Sequence, residues 1–188
     1  NQPIAIYGNQ TFALVLAQVY DVDLISCDDK LIATLDQAWT KRNLTVKTVS
    51  TVSENDFPVF IKPVIPKIFT ASVFYDLESF KEVIQGLETS TEVLLSTIIT
   101  SIKAEARGYI KQGKIKDLAL YEGNAKLTSG VTFLENFAKI NQQLLPEVVV
   151  VDIAFTEDLG WFILEFNSCW GAGLNNCQAD KVIDCIIG

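Results

Sequence analysis

The last third of the chain alternates between apolar runs and polar turns in a way that is typical of a β-hairpin. Residues 148–155 form an apolar run rich in β-branched side chains, and residues 161–167 form a second apolar run. The polar loop of residues 157–160 separates them, so that Thr156 is expected to pair with Trp161. The pattern therefore predicts two antiparallel strands joined by a short turn.

Three oxygen-bearing side chains interrupt the apolar pattern of this hairpin. Successive strand residues face opposite sides, so Glu165 and Asn167 share a face, and the expected register places Asp152 directly opposite Glu165. Two carboxylates and an amide are costly in the wall of an apolar core. They are ligands that Mg²⁺ prefers when it holds a substrate phosphate. The hairpin thus predicts a magnesium site at Asp152, Glu165 and Asn167.

The first third of the chain has the pattern of a small α/β unit. Its predicted elements are strands at residues 4–7 and 23–27 and helices at residues 12–20 and 29–39. A polar stretch at residues 45–56 has no strong periodicity and marks the expected boundary. The predicted domains are therefore an N-terminal unit at residues 1–56 and a larger body at residues 57–188.

In that larger body, strands outnumber helices. The predicted strands are residues 58–63, 70–75, 93–95, 105–110 and 114–121 together with the hairpin, and the predicted helices are residues 77–87 and 131–145. Gln112 and Gly113 have the composition of a tight hairpin turn. This order indicates an antiparallel α+β fold.

Composition narrows the classes of function. The 188 residues are 49% apolar and 20% charged, as in an ordinary globular protein, and the formal net charge of −8 argues against nucleic acid or an anionic membrane as a partner. No apolar run reaches the length that crosses a bilayer. A cytoplasmic location is expected, and an anionic ligand needs a local basic pocket.

Histidine is absent, which excludes Ser-His-Asp and Cys-His catalysis. Cys169, Cys177 and Cys185 are spaced eight apart and Cys27 lies far from them, but no Cys-x-x-Cys pair supports a zinc site. The three late cysteines are predicted to be buried thiols that neither bridge nor bind a metal. Chemistry must then rely on carboxylates, lysine, arginine and a metal ion.

Two lysines lie near the end of one predicted strand. Lys62 closes the apolar strand before Pro63, and Lys67 follows in a loop that Pro63 and Pro66 stiffen. A single lysine at such a position is usually just a solvated strand end. Two fixed lysines in a chain with a carboxylate cluster instead favour a phosphate held together with a metal.

Glu105 and Arg107 are two residues apart on a predicted strand and so share a face. They are equally compatible with an exposed ion pair of little energetic value and with an arginine that clamps a phosphate or a carboxylate. The spacing alone leaves both interpretations open.

The order of these motifs resembles the ATP-grasp superfamily. The motifs are Phe57-Pro-Val-Phe-Ile-Lys62-Pro, Ser96-Thr-Ile-Ile, Glu105-Ala-Arg107, Val151-Asp152-Ile and Leu164-Glu165-Phe-Asn167. The likeness is greatest to a small, poorly characterised clade in which Pro-Val-Phe-Ile-Lys-Pro precedes a second lysine and a phenylalanine, here Lys67 and Phe69. The resemblance covers residues 57–188 well, and it implies two α+β lobes around a nucleotide cleft, preceded by a small N-terminal α/β unit.

The resemblance also implies roles for individual residues. Lys62 would contact the ATP phosphates, Lys67 and Arg107 a phosphate or acyl phosphate, backbone groups of Ser96, Thr97, Ile98 and Ile99 the adenine edge, and Asp152, Glu165 and Asn167 would hold Mg²⁺. Glu105 is a candidate base for an attacking amine. The chain departs from the family where Thr97 replaces a residue that is often acidic, and where the loop between Lys62 and Thr70 lacks glycine.

The implied activity is that of a carboxylate–amine ligase using ATP and Mg²⁺. Its partners would be small-molecule or peptide carboxylates and amines, with no nucleic acid and no membrane. Whether the chain forms a homo-oligomer stays open. Two alternatives are a nucleotide-binding regulatory module without turnover and a purely structural α+β domain.

Overall fold

A computed structural model describes residues 4–187 of the protein. The outermost parts of the two predicted domains, residues 1–3 and residue 188, lie outside the described residues. In chain order the elements are α1 (Gln10–Tyr20), α2 (Leu31–Thr34), α3 (Gln37–Thr40), β1 (Leu44–Thr48), β2 (Val59–Pro63), β3 (Ser72–Phe74), α4 (Leu77–Val83), β4 (Glu92–Ser96), β5 (Ala104–Lys111), β6 (Lys114–Gly123), α5 (Leu127–Ile140), β7 (Val148–Thr156), β8 (Gly160–Asn167), α6 (Ala179–Val182) and α7 (Asp184–Ile187).

These elements divide into two compact units. The described parts of Asn1–Asp28 and Ser101–Gly188 form one, called here the terminal unit, and Asp29–Thr100 forms the other, the central unit. The division differs from the predicted domain boundary between residues 56 and 57. The reason is that β1, on one side of that boundary, pairs along its whole length with β4 on the other side.

The central unit is a four-stranded antiparallel sheet in the order β1-β4-β2-β3. Alternation along β2 buries Val59 and Ile61 on one face, where Phe80 of α4 is fully buried among aromatic neighbours. Phe60 and Lys62 therefore face the opposite side. The apolar side chains on the α4 face form the core of this unit.

The terminal unit is a second antiparallel sheet, in the order β6-β5-β7-β8. Helix α5 covers one face, where Leu134 and Phe137 are fully buried. The other face is covered by the C-terminal segment, which contributes buried residues to one apolar cluster with the sheet. That cluster contains Tyr109, Val148, Val150, Cys169, Ala172, Cys177, Val182 and Cys185.

A close approach between β5 and α5 explains a glycine in the middle of a strand. A Cβ atom added at Gly108 would lie 2.5 Å from Cδ2 of Leu134 and 3.3 Å from Cδ1 of Leu118. Leu134 is fully buried, so its side chain has little room to move away. The absence of a side chain at position 108 is therefore what allows the helix to pack this closely on the sheet.

The hairpin β7–β8 forms with the predicted pairing of Asp152 and Glu165, but by another route. Thr156 pairs with Gly160, whose φ is 70°, rather than with Trp161, so the turn is one residue shorter than expected. The backbone N–H of Leu159 donates to Oγ1 of Thr156 at 3.0 Å within this turn. A bulge at Leu164 then shifts the register by one residue, which brings Asp152 opposite Glu165.

The second predicted hairpin turn is confirmed. Lys111 pairs with Lys114, and Gln112 and Gly113 between them both have positive φ angles, of 50° and 74°. Two consecutive residues with positive φ are what a two-residue hairpin turn of the right-handed twist requires. The sequence Gln-Gly meets that requirement because glycine has no steric cost at the second position.

The predicted strands at residues 4–7 and 23–27 are not formed. Neither segment has a paired neighbour strand among the described residues, and Ile4, Tyr7 and Ile25 are about half exposed. The first segment is instead held by single contacts: the Tyr7 hydroxyl donates to the carbonyl oxygen of Ala172, and the N–H of Gly8 to that of Trp170. Without a ladder of backbone hydrogen bonds, an apolar run does not become a strand.

The predicted helix at residues 29–39 is also wrong in detail, since two short helices, α2 and α3, replace it. The chain is extended at Leu35 and Asp36, and the Asp36 side chain accepts a hydrogen bond from the N–H of Ala38 at 2.7 Å. An aspartate that caps a new helix start in this way competes with continuation of the preceding helix.

The architecture is thus an α+β fold with two antiparallel four-stranded sheets in the described chain. Across residues 4–187, no helix combines the length and the apolar character that crossing a bilayer requires.

We predict that Gly108→Ala lowers the free energy of unfolding by about 1–3 kcal/mol, because the new methyl group overpacks against Leu134. Urea denaturation measures the change. In a Leu134→Ala background the same substitution is expected to cost clearly less, since the clashing atom is gone.

Gly171→Ala is the matched control, because its added Cβ would lie no closer than 3.9 Å to the carbonyl oxygen of Gly8. Equal destabilisation by Gly108→Ala and Gly171→Ala would contradict the packing explanation.

Candidate functional site

A buried ion pair joins two adjacent strands of the terminal unit. Arg107 on β5 pairs directly with Asp152 on β7. Nε of Arg107 donates to Oδ1 of Asp152 at 2.8 Å, and Nη2 donates to Oδ2 at 2.6 Å. Arg107 is 9% exposed and Asp152 is 1% exposed. The pair has the bidentate geometry that makes arginine–carboxylate contacts strong and directional.

Asn167 links this pair to the second carboxylate. Its Nδ2 donates to Oδ2 of Asp152 at 3.2 Å and to Oε1 of Glu165 at 3.1 Å. The three side chains predicted to converge therefore meet on one face of the sheet, within hydrogen-bonding distance of a single amide. Their oxygen and nitrogen atoms are near enough to surround one ion.

Burial changes the titration of this group. Burial raises the pKa of Asp152 to about 6, against the lowering effect of the Arg107 guanidinium, and nearby Glu165 adds to the rise. Burial lowers the pKa of Arg107, but the hydrogen bonds and charge of Asp152 outweigh it and raise that pKa. At neutral pH both members of the pair are charged.

Tyr121 extends the site toward β6. Its hydroxyl donates to Oε2 of Glu105 at 2.5 Å, and Cζ of Arg107 lies 5.9 Å from the centre of its ring. Burial and the hydrogen bond to Glu105 raise the pKa of Tyr121, so the phenol stays protonated. Glu105 and Arg107 thus share a face as predicted, but they are bridged by Tyr121 in addition to any direct attraction.

The segment after β8 completes the environment of Arg107. Nη1 of Arg107 donates to the carbonyl oxygen of Gly173 at 2.8 Å. The hydroxyl of Tyr109 donates toward the carbonyl oxygens of Ala172 and Gly173, each at 3.2 Å, and Sγ of Cys177 donates to the carbonyl oxygen of Arg107. Arg107 is therefore held on three sides before any ligand is considered.

The residues fit a magnesium ion. Asp152 and Glu165 are two carboxylates in contact across a hairpin, and the amide of Asn167 can turn either its nitrogen or its oxygen toward the same spot. No cluster of three or more acidic, cysteine or histidine side chains suited to a metal is found among residues 4–187. An ion here would take two carboxylates and one amide, leaving positions for phosphate oxygens and water, which is a common arrangement for Mg²⁺.

In the central unit, Lys62 and Ser96 lie on one face of the sheet. Lys62 pairs with Leu94, and Ser96 pairs with Phe60 two residues away, so the four side chains face the side opposite α4. Lys62 lies beyond the end of β3, which pairs with β2 only as far as Ile61. Its side chain therefore leaves the sheet where the third strand has ended.

Lys67 lies in the loop between β2 and β3 and is exposed. Its φ is 70°, and Pro66 precedes it in the turn. The left-handed conformation is uncommon for a residue with a Cβ atom. The loop that lacks glycine therefore still contains a turn that would favour one.

The linker after β4 is partly occupied by contacts within the protein. The N–H of Thr97 donates to the carbonyl oxygen of Asn43 at 3.0 Å, and Oγ of Ser96 donates to the carbonyl oxygen of Thr97 at 3.0 Å. The N–H of Thr97 is thereby used in holding the linker beside β1. The prediction that this linker offers backbone groups to an adenine edge stands for Ile98 and Ile99.

Comparison with known families supports this arrangement of motifs. A family model for the ATP-grasp domain, family 2 of its clade, matches residues 39–185. The chain belongs to this ATP-grasp family. The resemblance found in the motifs is thereby confirmed, and it extends toward the N-terminus beyond residue 57 to include α3 and β1. An ATP-grasp fold is one that implies ATP binding.

Solved structures show the same fold. An ATP complex of D-alanine–D-alanine ligase from Bacillus anthracis matches with a TM-score of 0.61 and 15% identity, over 92% of this chain and 70% of its own. A RimK domain ATP-grasp protein from Sphaerobacter thermophilus gives 0.55 and 13%, over 85% and 64%. An L-amino acid ligase from Bacillus licheniformis gives 0.50 and 11%, over 84% and 45%. At these identities the likeness establishes the fold alone. No curated protein sequence gives a match.

Sequence reasoning missed two contributors to the ATP-grasp site in the terminal unit. Tyr121 is the bulged residue between Leu120 and Glu122 on β6, and strand alternation alone could have placed it on the face of Arg107. The carbonyl of Gly173 left no such signal, because a backbone acceptor is specified by the path of the chain and not by the residue type.

We predict that Arg107→Ala lowers the free energy of unfolding by about 3–5 kcal/mol, because it leaves the Asp152 carboxylate buried without its partner. Chemical denaturation is the measurement. The double variant Arg107→Ala/Asp152→Asn is expected to recover part of that loss, since neither charge is then left alone.

Lys181→Ala is the control for an ordinary ion pair. Its Nζ lies 3.4 Å from Oδ1 of Asp117, and its side chain is 44% exposed. Such a pair contributes about 0–1 kcal/mol. If Arg107→Ala and Lys181→Ala cost the same, the buried pair does not stabilise the unit as described.

Proposed function

We propose that the chain is an ATP- and Mg²⁺-dependent ligase that activates a carboxylate as an acyl phosphate and transfers it to an amine. The observation that carries the proposal is the convergence of Asp152, Glu165 and Asn167 on one face of the sheet in a member of an ATP-grasp family. Two of the structures that share the fold are named as amino acid ligases, which supports the same class of substrates. The identity of the carboxylate and the amine is not part of the proposal.

The residues divide the work by charge. Lys62 and Lys67 contact the phosphates of ATP, and Ile98 and Ile99 offer backbone groups to the adenine edge. Asp152, Glu165 and Asn167 hold Mg²⁺, which when bound draws charge from the phosphate oxygens. These assignments rest on positions that match the family pattern and on the geometry within each unit.

The reaction has two displacements. The substrate carboxylate oxygen attacks the γ-phosphorus of ATP, the bond to the bridging oxygen breaks, and ADP leaves with an acyl phosphate formed. The amine then attacks the acyl carbon, and phosphate leaves. Arg107 is fixed by Asp152 and Gly173, so it places a permanent positive charge beside the reacting groups without reorganisation. Glu105 accepts the proton of the amine, and Tyr121 orients its carboxylate.

A second candidate is a nucleotide-binding module without turnover. The observation that favours it is that Arg107 hydrogen-bonds both carboxylate oxygens of Asp152, and Asn167 bonds one of them as well. A carboxylate has about four lone-pair directions, so little of its capacity remains for a metal in this arrangement. The two candidates differ in whether bound ATP is ever converted to ADP.

We expect Lys62→Ala to weaken Mg-ATP binding by about ten- to a hundredfold, because a charge-assisted phosphate contact contributes about 1.5–3 kcal/mol. Isothermal titration calorimetry measures the affinity. Lys81→Ala, which alters an exposed lysine on α4, is the matched control. Equal affinities for the wild type and both variants, with unchanged melting temperatures, would remove Lys62 from the site.

We also expect ADP release when the wild type is given Mg-ATP with the right pair from a panel of amino acids and short peptides. Glu165→Gln should abolish the release, because it removes one of two carboxylates for the metal. Glu157→Gln, at the exposed turn of the same hairpin, should retain it. ATP binding without ADP release across the whole panel would favour the module without turnover.

A further inference from the structure

Two buried cysteines of the terminal unit form a thiol pair that the proposed ligase reaction does not use. Cys169 follows the end of β8 and Cys185 lies in α7, and both belong to the apolar cluster on the face of the sheet opposite α5. Their side chains are hydrogen-bonded to each other. Neither is in a disulfide, and they are 1% and 3% exposed.

A cavity of about 200 Å³ reaches this pair. Cys169 and Cys185 lie in its wall, and the rest of the lining includes Ile4, Ile6, Leu24 and Ile186. The space is large enough for water-sized molecules. A small oxidant can therefore meet the two sulfur atoms even though the rest of the protein buries them.

The surroundings favour reaction at Cys185 first. The hydrogen bond from Cys169 lowers the pKa of Cys185 in spite of burial, and the charges of Lys116 and Lys111 act in the same direction. Both lysines are held beside α7, since Nζ of Lys111 donates to the backbone carbonyl oxygen of Asp184 and Nζ of Lys116 lies 3.3 Å from its carboxylate. Cys177, in the same cluster, has its pKa raised to about 11 by burial.

We propose that Cys169 and Cys185 form a reversible disulfide when the protein meets a hydroperoxide, and that this bond fixes α7 to the segment that follows β8. The thiolate of Cys185 attacks one peroxide oxygen, the O–O bond breaks, and a sulfenic acid and hydroxide form. The sulfur of Cys169 then attacks the sulfenic sulfur, its proton passes to the departing hydroxide, and water leaves. Two thiols are oxidised, and the peroxide is reduced to two molecules of water.

The bond would restrain the part of the chain that supports Arg107. Cys169 begins the short segment that contains Ala172 and Gly173, whose carbonyl oxygens accept hydrogen bonds from Tyr109 and Arg107. The disulfide would close a loop from Cys169 to Cys185 that includes this segment and α6. Closing such a loop restricts the unfolded chain, so the oxidised protein is expected to melt at a higher temperature than the reduced protein.

The test uses the full chain with Cys27→Ser, which removes the cysteine outside the cluster. The protein is treated with hydrogen peroxide, its remaining thiols are alkylated, and its peptides are mapped by mass spectrometry. A linked Cys169–Cys185 peptide, the loss of two thiols and their return with dithiothreitol are expected. Stable sulfinic acid at either position, or no oxidation while the protein is folded, would overturn the proposal.

Cys177→Ser is the matched control, because it removes the third thiol of the same cluster and should leave the linked peptide unchanged. Cys185→Ser and Cys169→Ser should each abolish it. A disulfide that contains Cys177 in the parent protein would assign the pair wrongly and overturn the proposal. Because the mapping is done without nucleotide, its outcome does not depend on whether the chain is a ligase.

Discussion

The terminal unit depends on one buried ion pair, between Arg107 and Asp152. It joins adjacent strands, and it lies where the hairpin presents two carboxylates to one face of the sheet. Without the guanidinium, Asp152 and Glu165 would be neighbouring negative charges in a poorly hydrated position, which is unfavourable for folding. The protein resolves this by giving Arg107 three further restraints, from Gly173, from the ring of Tyr121 and from strand β5 itself. The charged site and the folded sheet are therefore one structural problem.

The site could be predicted from the sequence largely because a strand has a short period. Alternation places Glu165 and Asn167 on one face whatever the turn does, and it needs only a register to bring in Asp152. The predicted turn is one residue too long, yet the bulge at Leu164 compensates for it. A bulge leaves no mark in a simple apolar pattern, so the correct pairing of Asp152 and Glu165 follows from two errors of register that cancel.

The parts that could not be predicted are those decided by distant partners. Residues 4–7 have a strand-like composition, but a strand also needs a neighbour with free backbone groups, and composition does not reveal whether one exists. Asp36 breaks a helix that periodicity would continue, because its side chain caps the next one. The role of Tyr121 follows from the bulge on β6, and that of Gly173 from a loop path. Each is a tertiary effect that overrides a local preference.

The same charge balance bears on the order in which ligands would bind. Glu105, Asp152 and Glu165 outnumber the single guanidinium of Arg107 on this face, so the terminal unit attracts a cation and repels free phosphate. The lysines at positions 62 and 67, which suit phosphate, belong to the central unit. A nucleotide that arrives with its metal already bound presents a cation to the carboxylates and phosphate oxygens to the lysines. Electrostatics thus favour the metal–nucleotide complex over either component alone.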